Sequence, residues 1–186
     1  TDFMKLYDEQ FIVPHVTRYA GKNVQCWDNG AEPMFYGGRG IIGDLMKTAF
    51  LNWVRARYSN DIARVNQAWE TNATTFEELT LPTQPADAGW YDVMIFKCEC
   101  LTEALQIRAE KIQRLDPFKA PVGQTWCSNV MGPALINNGW GYDPWISARS
   151  QLGEIVQCDL YYHHSYPHDL LRLYEQYCGG DMRPVA

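Results

Sequence analysis

Glu32 is the residue best placed for proton chemistry. It closes Trp27-Asp28-Asn29-Gly30-Ala31-Glu32 ahead of Pro33, where a short apolar stretch, Asn23 to Trp27, reads as a buried strand running out into loop. Parallel α/β folds gather their catalytic groups at the carboxyl ends of strands. A carboxylate held there with a raised pKa serves as general acid and then as general base. A solvated loop glutamate before a turn proline has the same local sequence, so the segment alone leaves both readings open. Polar and aromatic residues recur at comparable places. Trp126 and Asn129 fall at the end of a strand candidate, Ala120 to Trp126, and His163-His164-Ser165-Tyr166-Pro167 follows another, Ile155 to Tyr162. His164 and Tyr166 share a face at period two. Trp126 offers a flat plane suited to the C–H face of a sugar ring or, equally, to core packing.

Helices and short apolar strands alternate along the chain, which predicts a parallel sheet with crossover helices. Apolar residues scatter helically from Asp2 to Tyr19, with Pro14 kinking or splitting the segment and Gly21 ending it. A helix capped by Asp44 would turn Leu45, Ala49, Phe50, Trp53 and Val54 to one side, and another runs from Asp61 to Trp69. The clearest helix spans Tyr91 to Leu115, where Met94, Cys98, Leu101, Leu105, Ala109, Ile112 and Leu115 step by threes and fours until Asp116-Pro117 stops it. Further helices are expected over 143–152 and 169–177, and a last strand over 183–186. The fold class is α/β, and four strands are either part of a (β/α)8 barrel, which needs eight strands and about 250 residues, or an open doubly wound sheet.

The 186 residues, 46% hydrophobic and 20% charged, suffice for one domain with a sizeable core. A formal net charge of -6, without concentrated Lys and Arg, argues against nucleic acid or an anionic membrane as partner. No apolar run approaches the ~20 residues of a membrane span, and Thr1 to Lys5 lacks the order of a signal peptide. No compartment is fixed, the cytoplasm being favoured. The six cysteines have no zinc-finger spacing and read as mostly buried thiols, with disulfides as the alternative if the protein is secreted. His163 and His164 lack an evident third ligand, so no metal is expected. Gly37-Gly38-Arg39-Gly40 is not followed by the Lys-Ser/Thr of a phosphate loop, so no nucleotide or other cofactor is expected either. Trp140, Tyr142 and Trp145 lie in a Gly- and Asn-rich loop that would form an outer subsite or a lid packed on itself.

The run Phe50-Leu51-Asn52-Trp53-Val54-Arg55-Ala56-Arg57-Tyr58, with Val65-Asn66-Gln67-Ala68-Trp69, Phe76-Glu77-Glu78-Leu79 and Leu81-Pro82, resembles glycoside hydrolase family 42, the β-galactosidase-like enzymes of clan A. Trp27 to Glu32 matches the register of the family's acid-bearing strand, W-x-x-x-N-E. Pro121-Val122, Asn129-Val130-Met131-Gly132 and Tyr166-Pro167 resemble later strand ends. The resemblance implies that residues 1–186 form a single partial barrel domain holding strands four to seven. Glu32 would be the acid/base of a retaining mechanism, whose nucleophile would lie just past Ala186.

A carbohydrate would be the substrate, and the remaining barrel segment or a second copy of the chain would be a partner. Trp126, Asn129, His164 and Tyr166 would line the cleft. The sequence departs from the family at Ala31, where an asparagine should hold the sugar 2-hydroxyl. Asn29 is the amide that would substitute for it. Without that contact the chain also fits a non-catalytic carbohydrate-binding or structural barrel.

Overall fold

A computed structural model describes residues 2–31, 40–127, 155–159 and 183–185. The chain divides into two compact units, one made of Thr1–Pro33, Thr102–Met131 and Pro144–Ala186, the other of Met34–Leu101 and Gly132–Asp143.

The first unit opens with helices α1 (Asp2–Tyr7) and α2 (Val13–Tyr19), joined by a π-helical turn at Asp8–Ile12. The break expected at Pro14 becomes a widening of the helix. Pro14 has no N–H to continue the α pattern, and the Val13 N–H reaches five residues back to the Asp8 carbonyl. Gly21 ends the segment as expected, with φ of +75°. A Cβ there would meet the ring of exposed Phe118, which can swing aside, so it is the positive φ that calls for glycine.

Strands β1 (Trp27–Ala31), β2 (Val122–Cys127), β3 (Ile155–Asp159) and β4 (Arg183–Val185) form one parallel sheet in the order β1-β2-β3-β4. The first strand starts later than its apolar pattern suggests. Asn23 has φ of +60°, Gln25 and Cys26 are exposed, and pairing begins only where the Trp27 N–H donates to the Pro121 carbonyl at 2.8 Å. The shift makes Ala31 the last residue of the strand, with Glu32 next in sequence.

Helix α5 (Trp90–Leu115) ends in the first unit. Its Ala109, Ile112 and Leu115 pack with Val16 of α2, with Trp27 and with Val122. Trp27 and Val122 are in register, so the helices before and after β1 cover the same face of the sheet. A doubly wound sheet has helices on both faces and reverses its strand order at a switch point. Here the order is sequential and the described crossover helices cover one face, which is the wall of a (β/α)8 barrel.

Asp116 fixes the turn from α5 into β2. Its carboxylate accepts from the Trp27 indole Nε1 at 2.9 Å, the Phe118 N–H at 2.9 Å and the Ala120 N–H at 3.0 Å. Burial pushes this carboxyl up, but the three donors together with Lys119 outweigh it and hold the pKa below the ordinary 3.8. Because the folded pKa is depressed, the added stability is present above pH 3.8 and drains away as acidification approaches the folded value. Asp116→Asn should therefore destabilise the protein by about 1.5–3 kcal/mol at neutral pH and flatten its stability profile below pH 4. Thermal unfolding between pH 7 and 2.5 measures both, and a variant with the parent's acid profile would contradict this role.

The second unit contains α3 (Gly43–Arg57), α4 (Ile62–Trp69), a 3-10 turn at Phe76–Glu78 and the start of α5 (Trp90–Leu115). Asp61 caps α4, accepting from Ala63 N at 2.9 Å. Helix α3 begins at Gly43, so Asp44 lies inside its first turn and not at the cap, and Leu45 is 83% exposed. The buried face is Phe50, Leu51 and Val54. Phe50 stacks on Trp69 and tilts against Phe96, with ring centroids 5.9 and 5.2 Å apart. Along α5 the expected stripe holds: Cys98, Leu105, Ala109 and Ile112 are buried, while Met94, Leu101 and Leu115 are half-buried. Cys26 is exposed, unlike the buried thiol expected of it. The helices expected over 143–152 and 169–177, and the aromatic loop with Trp140, Tyr142 and Trp145, lie outside the described residues.

Candidate active site

The strands are parallel, so Ala31, Cys127, Asp159 and Val185 close them at the same end of the sheet. Glu32 follows the first of these ends directly, Asn129 lies just past the second, and His164 and Tyr166 lie further past the third. These four fall outside the described residues. Trp126 occupies the last turn of the ladder in β2, in register with Cys158 of β3.

The strand leading to Glu32 is irregular. Trp27 pairs with Val122 and Asp28 with Gly123, but Ala31 pairs with Thr125, so β1 spends one residue more than β2 over the same distance. Such a bulge re-aims the residues beyond it. Gly30 carries φ of +141°, a conformation that a side chain would strain. On the face away from α5, Asp28 accepts from the Thr125 hydroxyl at 2.9 Å and from the Gly30 N–H at 3.1 Å. In a barrel that face is the interior, and sequence reading overlooked Asp28 because Glu32 alone stood at the end of the motif.

Side chains bond both carbonyls of the bulge. Arg108 of α5 donates from Nη1 to the Asn29 carbonyl at 2.8 Å, and Gln124 of β2 donates from Nε2 to the Gly30 carbonyl. Asn29, read above as a ligand-binding amide, is 2% exposed and donates its Nδ2 to the Leu105 carbonyl of α5 at 2.7 Å. Its side chain is thus bonded to the helix that covers the sheet. Asn29 Oδ1, Arg108 Nε and Gln124 Oε1 are buried without a partner among the described residues. Arg108 also lies over the Tyr7 ring, 5.3 Å from its centroid. Nothing in its sequence context, an arginine between helix apolar positions, marked it as a neighbour of this strand end.

Among the described residues no three His, Cys, Asp or Glu side chains gather as a metal site. No described helix is long and apolar enough to cross a membrane.

The profile of glycoside hydrolase family 42, described as beta-galactosidase, matches residues 12–177. No curated protein sequence matches. Among solved structures, the catalytic domain of a beta-amylase from Paenibacillus polymyxa is similar over 97% of this chain and 54% of that one, at 16% identity and a TM-score of 0.69. The apo exo-carrageenase of family 42 from Bacteroides ovatus is similar over 77% of this chain and 21% of that one, at 20% identity and a TM-score of 0.56. The chain thus spans about half of the first of these domains and a smaller part of the second.

Proposed function

The chain belongs to glycoside hydrolase family 42, and from that premise we propose that it is the part of a retaining β-galactosidase-like enzyme that carries the general acid/base, Glu32. The observation that supports this reading is that Ala31, which precedes Glu32 in sequence, closes its strand at the end of the sheet where the other parallel strands close. From there the carboxyl would protonate the glycosidic oxygen as the bond to the sugar breaks, then take a proton from the water that releases the sugar. A second carboxylate about 5–5.5 Å away would act as nucleophile, and it is placed beyond Ala186, at the end of the strand that β4 begins.

In this reading all 186 residues belong to one catalytic barrel domain, strands four to seven, with the remaining strands supplied by further chain or by a second copy. The substrate is a carbohydrate. Asn129, His164 and Tyr166 bind its hydroxyls. Asn29, with its amide on Leu105, supports the strand end. Ala31 favours a second reading, a carbohydrate-binding barrel without catalysis, because no amide at that position can hold a 2-hydroxyl.

The complete gene product should hydrolyse an aryl β-galactoside with retention of configuration, followed by the anomer first formed in proton NMR. Inversion, or binding of galactosides without turnover, would overturn the proposal, and the latter would establish the second reading.

A further inference from the structure

We propose that a cleft within the second unit binds a sugar unit through Glu70, with residues other than those assigned above to the glycosidic bond; that its ligand is a carbohydrate rests on the function proposed above. The cleft, about 420 Å³, lies between the end of α4 and the loop that leads into α5, and small-molecule sites span roughly 300–1,000 Å³. Trp69, Leu81 and Pro82 make one wall apolar. That wall is fixed from behind, since Trp69 is 4% exposed, stacks on Phe50 and donates its indole N–H to Asp92 at 2.7 Å. Gly89 brings its backbone directly onto the wall, where a Cβ would lie 2.7 Å from both the Trp69 and the Pro82 rings.

The polar groups of the cleft are acceptors. Thr71 gives its hydroxyl proton to Asn66 Oδ1 at 2.8 Å and Thr83 gives its own to Asp87 Oδ2 at 3.2 Å, so each hydroxyl has only lone pairs left to offer. Glu70 lines the cleft beside them, and its carboxylate has no partner among the described residues. The matching ligand carries O–H donors around a C–H face, which is the chemistry of a sugar. Glu70 also occupies an unusual place for its type. It closes α4 with φ of +55°, the left-handed position that helices most often give to glycine. A glutamate is the less stable choice there, and it forms no internal side-chain bond that would offset the strain. Charge-assisted bonds from ligand hydroxyls supply the reason for a carboxylate at this position.

The test titrates galactotriose calorimetrically into the complete gene product carrying Glu32→Gln, so that the probe is not consumed. Adding Glu70→Gly should weaken one class of site by about tenfold or more, the worth of a hydrogen bond to a charged group, and leave any other class unchanged. The same substitution should raise the thermal midpoint, because glycine adopts the left-handed position without strain, so the loss of binding cannot come from a damaged fold. Glu70→Gln, with one acceptor oxygen and no charge, should fall between the two in affinity. In the protein that keeps Glu32, Glu70→Gly should leave kcat on an aryl galactoside at the parental value. A Glu70→Gly protein with a raised midpoint and unchanged galactotriose binding overturns the inference, and so does a cleft that takes ethylammonium through Glu70 but not galactotriose. The two proposals fail separately. A gene product that binds galactotriose through Glu70 and hydrolyses no galactoside keeps the cleft and loses the catalytic reading, whereas one that hydrolyses galactosides while its binding ignores Glu70→Gly keeps the catalytic reading and loses the cleft.

Discussion

In the complete protein, Glu32→Gln should lower the hydrolysis of an alkyl galactoside by about 10²–10⁴-fold without lowering its thermal midpoint. Glutamine keeps the shape and an acceptor oxygen but has no proton to deliver to a leaving alkoxide. The loss should depend on the leaving group. A nitrophenolate departs without help, so the step that forms the glycosyl-enzyme should be nearly normal on nitrophenyl substrates, and the step that activates water should become limiting. A burst of nitrophenol followed by slow turnover is the expected trace, since a covalent intermediate accumulates when its hydrolysis loses the base. Equal rates in parent and variant on both substrate types would remove Glu32 from the mechanism.

The order of elements was legible because apolar residues repeat at helical spacing in α5 and gather in short runs in β2 and β3, and that order with its covered face fixes the barrel wall. The start of β1 was not legible. Val24, Cys26 and Trp27 suggest a strand, but a ladder needs a partner, and pairing starts only at Trp27, where Pro121 offers its carbonyl. The bulge was equally hidden, since it is defined by a mismatch of spacing between two strands and not by either one. For that reason Asn29 looked like a free amide beside Glu32, whereas the backbone turns it toward Leu105. Arg108 is far from Asn29 in sequence, and a guanidinium on a helix ordinarily reads as solvated surface.

The residues that carry the family resemblance most clearly do structural work. Tyr58 and Trp69 belong to those motifs, and both donate to the same buried oxygen, Asp92 Oδ2, at 2.6 and 2.7 Å. Asn66, from the same motif, holds the following loop through Ala73, accepting from its N–H at 3.0 Å and donating to its carbonyl at 2.8 Å. Phe76 and Leu79 are buried in the same core. The resemblance therefore identifies the fold through its packing, and the chemistry must be argued from the strand end, where the sequence departs from the family at Ala31.

Asp92→Ala should be the most destabilising single substitution in the second unit, by about 2–5 kcal/mol for two donors left without an acceptor, against a total of about 5–15 kcal/mol for a typical domain. The carboxylate is buried in the first turn of α5 and also pairs through Oδ1 with Arg57 Nε at 2.9 Å. Alanine would leave the Trp69 indole N–H and the Tyr58 hydroxyl without an acceptor inside the core, whereas Arg57 is exposed enough to regain water. Asp92→Asn should cost less, about 1–2 kcal/mol, because an amide oxygen at the Oδ2 position keeps both bonds and only the Arg57 side loses its partner. Tyr58 supplies a second readout. Burial pushes its phenol up from the ordinary 10.0, and the hydrogen bond and charge of Asp92 push it further. Removing the charge while keeping the shape should lower the Tyr58 titration and leave it above 10.0, which the phenolate absorbance follows. Chemical unfolding should rank the parent above Asp92→Asn and that above Asp92→Ala. An alanine variant within about 0.5 kcal/mol of the parent, the usual range for surface substitutions, would show that this carboxylate does not anchor the helix.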